Sequence, residues 1–370
     1  KKKEVLMIQI SLCMIVKNEE DVLARCLESV GKIADEIVIV DTGSTDQTKK
    51  IAQSYTDNLF DFEWCEDFAA ARNYSFSKAT MDYILWLDAD DILTEENQKL
   101  FLELKENLTP DVSMVMMKYH TAFHEDGSPS FSYYRERLIK NHAGFHWEGA
   151  VHEAIVPSGK IIYSEIAVTH KKIHPSNPDR NLQIFEHLLE KGTVLQPRQQ
   201  FYYARELYYH ARYREALEVF ETFLDSEEGW IENMIDACRQ AALCHYALNE
   251  PSQALQCLLR SMQYDLPRAE ICCDIGKHFV DRTNYRPAIF WYQTALSLPR
   301  NDQSGAFVFP DCYGYLPAIM LCVCYDRLGD RKQAEQYNEL AGSFKPEDPF
   351  YLSNREFFKA QTKSAGQETF

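Results

Sequence analysis

The chain has 370 residues and a formal net charge of −17, with 45% hydrophobic and 26% charged residues. This length exceeds that of a typical single domain, so two folded domains are expected, and the strongly acidic balance disfavours nucleic acid as a partner. No apolar run approaches the roughly 20 residues of a membrane-spanning helix, and no small-residue cleavage site follows the apolar N-terminal stretch, so neither a transmembrane segment nor a signal peptide is predicted.

Residues 8–90 alternate between strand-like and helix-like patterns. The strand-like runs are residues 8–16, 36–40, 59–62 and 83–87, and the helix-like runs are residues 21–30, 48–55 and 68–79. This alternation predicts a mostly parallel sheet covered by helices, and ligands of such sheets bind outside the carboxyl ends of the strands. Polar residues follow three of these strands, as Lys17-Asn18-Glu19, Asp41 and Asp88-Ala89-Asp90.

The rest of the chain changes character near residue 180. Strand-like stretches at 115–119, 160–163 and 166–170 surround a polar, aromatic middle, and a break at 174–178 precedes an almost wholly helical pattern. We therefore predict an α/β domain over residues 8–180 and an all-α domain over residues 181–360.

Four similar helical segments recur in the second domain and begin at Tyr213, Pro251, Tyr285 and Arg331. Each carries alanine at its fourth position, a small residue that lets neighbouring helices approach closely. The spacing resembles the ~34-residue helix pairs of tetratricopeptide repeats, with an inserted loop at residues 300–314. Such stacks bind an extended peptide or a partner, or they stabilise the chain or make it a homodimer, and both interpretations stay open.

The chain has 11 cysteines, and no two have the CxxC spacing of a zinc or redox site. Several lie inside the helical patterns. We therefore expect free, buried thiols and a reducing, cytoplasmic location.

The clearest chemical signal is the pair Asp88 and Asp90 directly after an apolar strand. Two carboxylates separated by one residue can face the same cation where the chain turns, and Mg²⁺ and Mn²⁺ prefer such oxygen ligands. An isolated pair with this spacing is common by chance. Its position after a strand, together with Asp41 after an earlier strand, makes the prediction of a metal site more specific.

Four motifs occur in order: SLCMIVKNEEDVLARCLESV, ADEIVIVDTGSTDQTKKIA, DFAAARNYSFSKAT and YILWLDADD. Together they resemble family 2 glycosyltransferases, over about half of the chain. The resemblance implies a GT-A fold, which is a Rossmann-like mixed α/β sheet, and an inverting enzyme that uses a nucleotide-diphosphate sugar with Mg²⁺ or Mn²⁺. The residues implied to bind the nucleotide sugar are Val16, Glu19, Asp41, Asp67, Arg72, Asp88 and Ala89.

The same resemblance assigns the metal to Asp90, with Asp88 beside it and a histidine supplied late in the domain. His170 fits this last role better than His174, because it lies at a predicted strand end and His174 precedes a proline.

A second cluster, RERLIKNHAGFHWEGAVHEAI, resembles the acceptor-side motif of family members that bear repeats. An inverting transfer needs one general base to deprotonate the attacking atom. Glu153 is the first candidate, His152 the weaker one and Glu148 the third. Trp147 is expected to stack on a sugar. The two arginines, Arg135 and Arg137, contact the diphosphate or form ion pairs.

The sequence lacks the QxxRW motif of processive synthases, which favours transfer of a single sugar. A family 2 domain followed by tetratricopeptide-like repeats resembles bacterial enzymes that glucosylate ribosomally made peptides, including S-glycosyltransferases of glycosylated bacteriocins. This resemblance implies a UDP-sugar donor, with UDP-glucose leading, and a Cys or Ser acceptor side chain that reaches Glu153.

Three other functions are alternatives to transfer onto a peptide. One is transfer to lipopolysaccharide or cell-wall glycans, and another is a non-catalytic repeat scaffold whose first domain only binds a nucleotide. A nucleotidyltransferase is disfavoured, because the acidic VKNEE follows the first strand where a glycine-rich phosphate loop is needed.

Overall fold

The computed structural model of the chain describes residues 7–124, 127, 129–173 and 177–365, with side chains described up to residue 361. The chain divides into two compact units, the first ending at Gln199 and the second beginning at Gln200. Each unit is built around its own core.

The first unit is an α/β domain. Its described strands are β1 (Ile10–Val16), β2 (Glu36–Asp41), β3 (Leu59–Asp61), β4 (Tyr83–Trp86), β5 (Asp91–Ile92), β6 (Val112–Phe123), β7 (Pro129–Lys140), β8 (Trp147–Glu148), β9 (Ala154–Ile155) and β10 (Lys160–His170). Its described helices are α1 (Leu23–Val30), α2 (Thr48–Gln53), α3 (Phe68–Phe76), α4 (Glu95–Asn107) and α5 (Arg180–Glu190). Within the described ranges, eight strands form one mixed sheet in the order β3-β2-β1-β4-β7-β6-β10-β5, and β8 pairs with β9.

Strand β1 lies inside the sheet because almost all of its side chains are apolar and buried. It pairs in parallel with β2 and β4, and the register places Val16 opposite Asp41 and Cys13 opposite Trp86. The carboxyl ends of these strands therefore meet at one edge of the sheet, as the alternating pattern predicted. Beyond β4 the sheet becomes mixed, because β7 runs antiparallel to both β4 and β6.

Helix α5 belongs to the first unit, although the predicted domain boundary lies just before it. Its His187 side chain lies 2.8 Å from a carboxylate oxygen of Glu66. Lys191, the residue directly after the helix, forms an ion pair with Glu66 at 3.3 Å. A helical pattern shows that a segment is a helix but not which core it packs on. We propose that the first domain extends through α5.

The second unit consists of helices. They are α6 (Pro197–Tyr209), whose first three residues belong to the first unit, α7 (Tyr213–Ser226), α8 (Ile231–Ala247), α9 (Pro251–Arg260), α10 (Ala269–Val280), α11 (Tyr285–Ser297), α12 (Tyr315–Arg327), α13 (Arg331–Phe344) and α14 (Pro349–Ala365). Helices α7, α9, α11 and α13 begin at the four predicted repeat starts, and their alanines are fully buried. Helices α7 to α14 pack successively on one another as in a tetratricopeptide stack, and α6 contacts α7 through the rings of Phe201 and Phe223. The predicted inserted loop lies between α11 and α12.

Close packing between α10 and α11 depends on a glycine. A Cβ atom added to Gly276 would lie 2.7 Å from the ring of Tyr292, whose side chain is 1% exposed. We expect Gly276→Ala to lower the free energy of unfolding by about 1–3 kcal/mol, since the ring has no space to move away. Thermal unfolding followed by circular dichroism measures this.

The matched control is Gly31→Ala. Gly31 has φ −58°, and its added Cβ would meet only a backbone oxygen at 3.5 Å, so this change should be neutral or slightly stabilising. Equal destabilisation by the two substitutions would contradict the role given to Gly276.

The described ranges include all eleven cysteines, which are free thiols; ten are buried and Cys65 is exposed. Burial raises the pKa of thiols such as Cys238 and Cys244 to about 12, so they remain protonated and unreactive. Among the helices described, none combines the length and apolar character that crossing a membrane requires.

Candidate active site

The acidic residues after β4 form a tight turn at the carboxyl edge of the sheet. The amide of Asp91 donates to the carbonyl of Asp88 at 3.0 Å, and the amide of Asp88 donates to Asp91 Oδ2 at 3.1 Å. The turn leads into β5, which pairs antiparallel with the end of β10 so that Asp91 lies opposite His170. The amide of Lys171 also donates to the carbonyl of Asp90 at 2.9 Å. The end of β10 is thereby fixed against the acidic turn.

Three side chains converge at this point: Asp90, Asp91 and His170, with one potential ligand atom of each within 4.8 Å of the others. His170 Nδ1 lies 3.3 Å from Asp90 Oδ1 and 3.3 Å from Asp91 Oδ1. Carboxylate oxygens with one imidazole nitrogen are a donor set that suits Mn²⁺ or Mg²⁺. The residues present therefore fit a divalent cation. His174, the other candidate histidine, lies outside the described residues.

The structure groups these ligands differently from the sequence in one respect. Asp88, predicted beside the metal, forms an ion pair with Arg72, and Asp91 joins Asp90 and His170 in the cluster. Asp91 was not among the predicted site residues, although a third acid directly after the pair was a visible signal. The β5–β10 register, which no local pattern reveals, decides which acid faces His170.

Asp91 is rigidly held. It is fully buried, accepts a 2.9 Å hydrogen bond from the hydroxyl of Tyr119, and forms a 3.0 Å ion pair with Arg137. The Arg137 guanidinium is also fully buried, 3.9 Å from the ring centroid of Trp86 and 4.3 Å from that of Tyr119. Both oxygens of Asp91 are therefore engaged, and Asp90 is the more accessible carboxylate.

The two arginines expected at a diphosphate form ion pairs. Arg137 supports Asp91 from inside the core. Arg135 pairs with the adjacent Glu136 at 3.0 Å and lies 5.0 Å from the ring centroid of Trp86. The sequence left open whether these arginines contact the diphosphate or form ion pairs, and the described structure contains the ion pairs.

Hydrogen bonds from His170 to Asp90 and then Asp91 raise the pKa of its imidazole to about 10. A metal-binding imidazole must be neutral, so cation binding should expel this proton. We expect the apparent Mn²⁺ affinity to rise with pH between about pH 6.5 and about pH 8.5, by up to about tenfold per unit. Titration calorimetry at three pH values measures the slope.

The control for this prediction is His170→Gln, which has no proton to release and should bind Mn²⁺ weakly with a flatter pH dependence. A slope as steep as that of the native protein would show that another group titrates.

Arg72 connects the acidic turn to the second predicted cluster. Its Nη2 donates to Asp88 Oδ1 at 2.8 Å, and its Nε donates to Glu153 Oε1 at 2.6 Å. The guanidinium lies 4.9 Å and 5.0 Å from the ring centroids of Trp86 and Trp147. Burial alone would raise the pKa of Asp88, but the charges of Arg72 and then Arg137 lower it to about 2. Asp88 is therefore an anion at neutral pH.

Glu153 lies on a tightly turned segment between β8 and β9. Gly149 has φ 97° and His152 has φ 52°, a left-handed conformation that is uncommon outside glycine and strains the backbone beside Glu153. The Arg198 guanidinium donates to the carbonyl of His152 at 3.2 Å and 3.3 Å, which helps to hold that conformation. Glu153 is largely buried, whereas Glu148 is exposed and pairs with His146.

Trp147, predicted to stack on a sugar, lies in the core. It is 2% exposed and packs edge-on against Trp86 and Phe76, with ring centroids 4.8 Å and 5.9 Å apart. Its ring contacts protein side chains rather than solvent. Sugar stacking by this residue stays a prediction.

The predicted nucleoside pocket lies where β1 and β2 end. Asp41 Oδ1 accepts the amides of Gly43 and Ser44 at 3.0 Å and 2.9 Å. Asp41 Oδ2 is buried without a hydrogen-bond partner among the described residues. An unpaired buried acceptor costs stability, so this oxygen suits a hydrogen-bond donor of a bound nucleoside.

The other residues predicted to bind the nucleotide sugar lie at or next to this edge of the sheet. Val16 and Ala89 are buried, and the Glu19 amide donates to the Thr48 hydroxyl at 2.7 Å. Asp67 caps helix α3 by accepting the amide of Ala70 at 2.9 Å. Asn18, which the sequence analysis did not select, joins the two loops, because its Oδ1 accepts the amide of Thr45 at 2.8 Å.

Comparisons with known proteins agree with this geometry. A family model described as glycosyl transferase family 2 matches residues 11–161. A TPR repeat-containing protein of Synechococcus elongatus is 37% identical over 150 residues, which are 40% of this chain and 36% of that protein. The SPbeta prophage-derived glycosyltransferase SunS of Bacillus subtilis is 25% identical over 278 residues, covering 71% of this chain and 64% of that protein.

A third relative is the lipopolysaccharide core biosynthesis glycosyltransferase LpsC of Rhizobium meliloti, 30% identical over 161 residues, which are 42% of this chain and 59% of that protein. The chain thus matches between 36% and 64% of the length of these three relatives. Residues 11–161 thus match the model of family 2 glycosyltransferases, and the helices of the second unit are arranged as tetratricopeptide-like repeats.

Proposed function

We propose that the chain catalyses inverting, metal-dependent transfer of one sugar from a UDP-sugar, with UDP-glucose the leading donor, to a Cys or Ser side chain of a peptide bound by the helical repeats. One observation carries the proposal. The cluster of Asp90, Asp91 and His170 is joined to Glu153 through Asp88 and Arg72. The candidate metal ligands and the candidate base therefore belong to one connected network at the ligand-binding edge of the sheet.

Each group in the network has a chemical role in this proposal. Asp90 and His170 hold Mg²⁺ or Mn²⁺ with Asp91 behind them, and the bound cation supplies charge that stabilises the leaving diphosphate. Asp41 binds the nucleoside through its unpaired Oδ2, and Val16, Glu19, Asp67, Asp88 and Ala89 frame that pocket.

Glu153 is the proposed general base. Arg72 binds Oε1 of this carboxylate and fixes its orientation, so Oε2 is the atom that takes the proton from the attacking thiol or hydroxyl. His152 remains the weaker candidate for this role.

The test is release of UDP from a panel of UDP-sugars by the full chain, with and without Mn²⁺, in the presence of a library of peptides that contain Cys or Ser. We expect release from one sugar, which requires the metal and increases with peptide, and a peptide whose mass has grown by one sugar. If UDP were released from none of the UDP-sugars under any of these conditions, the proposed donor would be wrong.

The second candidate acceptor is a glycan, favoured by the 30% identity to LpsC over 161 residues. The same assay then contains lipopolysaccharide core or cell-wall glycans in place of peptides. Stimulation by a glycan and not by any peptide would replace the peptide acceptor and leave the transferase activity in place.

We further propose a cytoplasmic location, because ten of the eleven cysteines are buried free thiols in the described structure. Mass spectrometry of alkylated, unreduced protein isolated from cells should find all eleven thiols modified after unfolding. A native disulfide would contradict this location.

A further inference from the structure

The inserted loop at residues 300–314 lies across the first helices of three successive repeat pairs. The Phe307 ring centroid is 4.4 Å from the guanidinium carbon of Arg205 on α6, and that of Phe309 is 5.1 Å from the guanidinium carbon of Arg239 on α8. The loop reaches Glu270 on α10 as well. We name the face formed by α6, α8 and α10 the repeat groove, the side on which helical stacks present their binding surfaces.

The loop is held in the groove through its main chain. Oε1 of Glu270 accepts the backbone amide of Phe309 at 2.7 Å, and Oε2 accepts the hydroxyl of Tyr313 at 3.0 Å. Glu270 is 6% exposed, and Phe309 has extended backbone angles of φ −102° and ψ 103°. A buried carboxylate that binds the amide of an extended residue recognises peptide backbone rather than one particular side chain.

The groove retains polar atoms that the loop does not satisfy. Arg205 Nε and Nη1 and Asp236 Oδ2 are buried without hydrogen-bond partners among the described residues, and Arg205 Nη1 lies 3.8 Å from Asp236 Oδ2. Because buried polar atoms without hydrogen bonds cost stability, donors and acceptors of a further peptide segment would be bound here.

Space is also available beside these atoms. A cavity of about 550 Å³ lies between α8, α10 and the loop, within the size range of small-ligand pockets. Its apolar lining includes Trp230, Ile235, Leu298 and Val308. The cavity is large enough for an additional side chain.

We propose that the repeat groove is a binding site for a peptide segment with two aromatic side chains separated by one residue, and that residues 305–309 of the chain occupy it as an internal ligand. The two aromatic rings of such a segment pack on Arg205 and Arg239, and its main chain donates to Glu270. If the peptide bound in the groove is also the sugar acceptor, this site belongs to the proposed function, and that connection rests on the proposed function. The binding of a peptide by the groove is independent of whether the chain transfers sugar.

The internal ligand sets how tightly a free peptide binds. A tethered segment has an effective concentration on the order of millimolar, so a free peptide of similar sequence competes poorly with it. The apparent affinity of the free peptide equals its affinity for the open groove multiplied by the fraction of molecules in which the loop has left the groove. Weakening the contacts of the loop should therefore strengthen the binding of the free peptide.

The experiment measures binding of the fluorescent peptide SGAFVFPD, which has the sequence of residues 304–311, to the full chain by anisotropy. We expect the double variant Phe307→Ala and Phe309→Ala to bind at least about tenfold more tightly than the native chain. The peptide SGAAVAPD should bind neither protein. Asp302→Asn is the control variant, since Asp302 pairs with Arg300 inside the loop and its loss should leave peptide affinity at the native value.

Equal affinity of the native chain and the double variant for SGAFVFPD, or equal binding of SGAAVAPD, would overturn the proposal. A second measurement uses only the native chain and so does not depend on folding of the variant. Several millimolar SGAFVFPD should accelerate hydrogen exchange of the Phe309 amide by at least about tenfold, because it displaces the loop from Glu270. Unchanged exchange would also overturn the proposal. Neither readout involves UDP, so failure here leaves the transferase assay to be judged separately.

Discussion

Asp90→Ala is expected to lower metal-dependent release of UDP by about 100-fold or more, the scale seen when charge stabilisation of a leaving group is lost. Asp90 is the more accessible carboxylate of the cluster, because its side chain is 20% exposed and both oxygens of Asp91 are engaged by Tyr119 and Arg137. Removing Asp90 therefore removes the carboxylate that is most available to a cation. The measurement is UDP release at saturating UDP-sugar, together with Mn²⁺ affinity.

The control is Asp57→Ala in the same domain, an exposed acid outside the site that should leave both values unchanged. If Asp90→Ala retained native activity at low Mn²⁺ concentration, the metal would have to be held elsewhere. Loss of activity with native Mn²⁺ affinity would instead remove Asp90 from the metal site and leave it with a role toward the sugar.

Arg72→Met is expected to destabilise the first unit by about 2–3 kcal/mol, because it leaves the largely buried Glu153 and the partly exposed Asp88 without their cation. The Arg72 side chain is 9% exposed, and it bridges Asp88 and Glu153. UDP release should also fall, since the base and the acidic turn lose their connection. Urea unfolding followed by tryptophan fluorescence reports on this region, because Trp86 and Trp147 flank the guanidinium.

An exposed pair provides the comparison. Lys49→Met breaks the ion pair with Asp61, in which the two side chains are 41% and 75% exposed, and it should change stability little. If both substitutions had the same small effect, the Arg72 bridge would not stabilise the fold.

The Arg72 bridge also predicts how stability depends on pH. The pKa of Asp88 is about 2 in the folded protein, below the ordinary aspartate value of 3.8. A depressed pKa contributes stability that is fully present above about pH 4 and is lost as the pH falls toward about pH 2. In Arg72→Met this loss should be smaller, because burial without the arginine no longer favours the ionised form. Urea midpoints at several pH values in this range measure the difference.

The sequence by itself determined the features that depend on local periodicity. Alternating strand and helix patterns located β1–β4 to within two residues at either end, and the repeated alanines located the starts of α7, α9, α11 and α13. The position of Asp90 at a strand end followed from the same pattern, because carboxyl ends of parallel strands share one edge. The long strand β7 was missed, since its polar and aromatic side chains do not alternate clearly.

Only the tertiary structure decided which side chains meet. The pairing of Asp91 with His170 joins residues far apart in the chain and follows from the register of β5 on β10. The choice of Arg72, rather than solvent or a cation, as the partner of Asp88 depends on the approach of α3 to the acidic turn. The inserted loop was recognisable as an irregular repeat spacing, but its contacts with Arg205 and Glu270 were not. Local sequence fixes backbone periodicity, whereas ion pairs and hydrogen bonds between distant residues depend on packing in three dimensions.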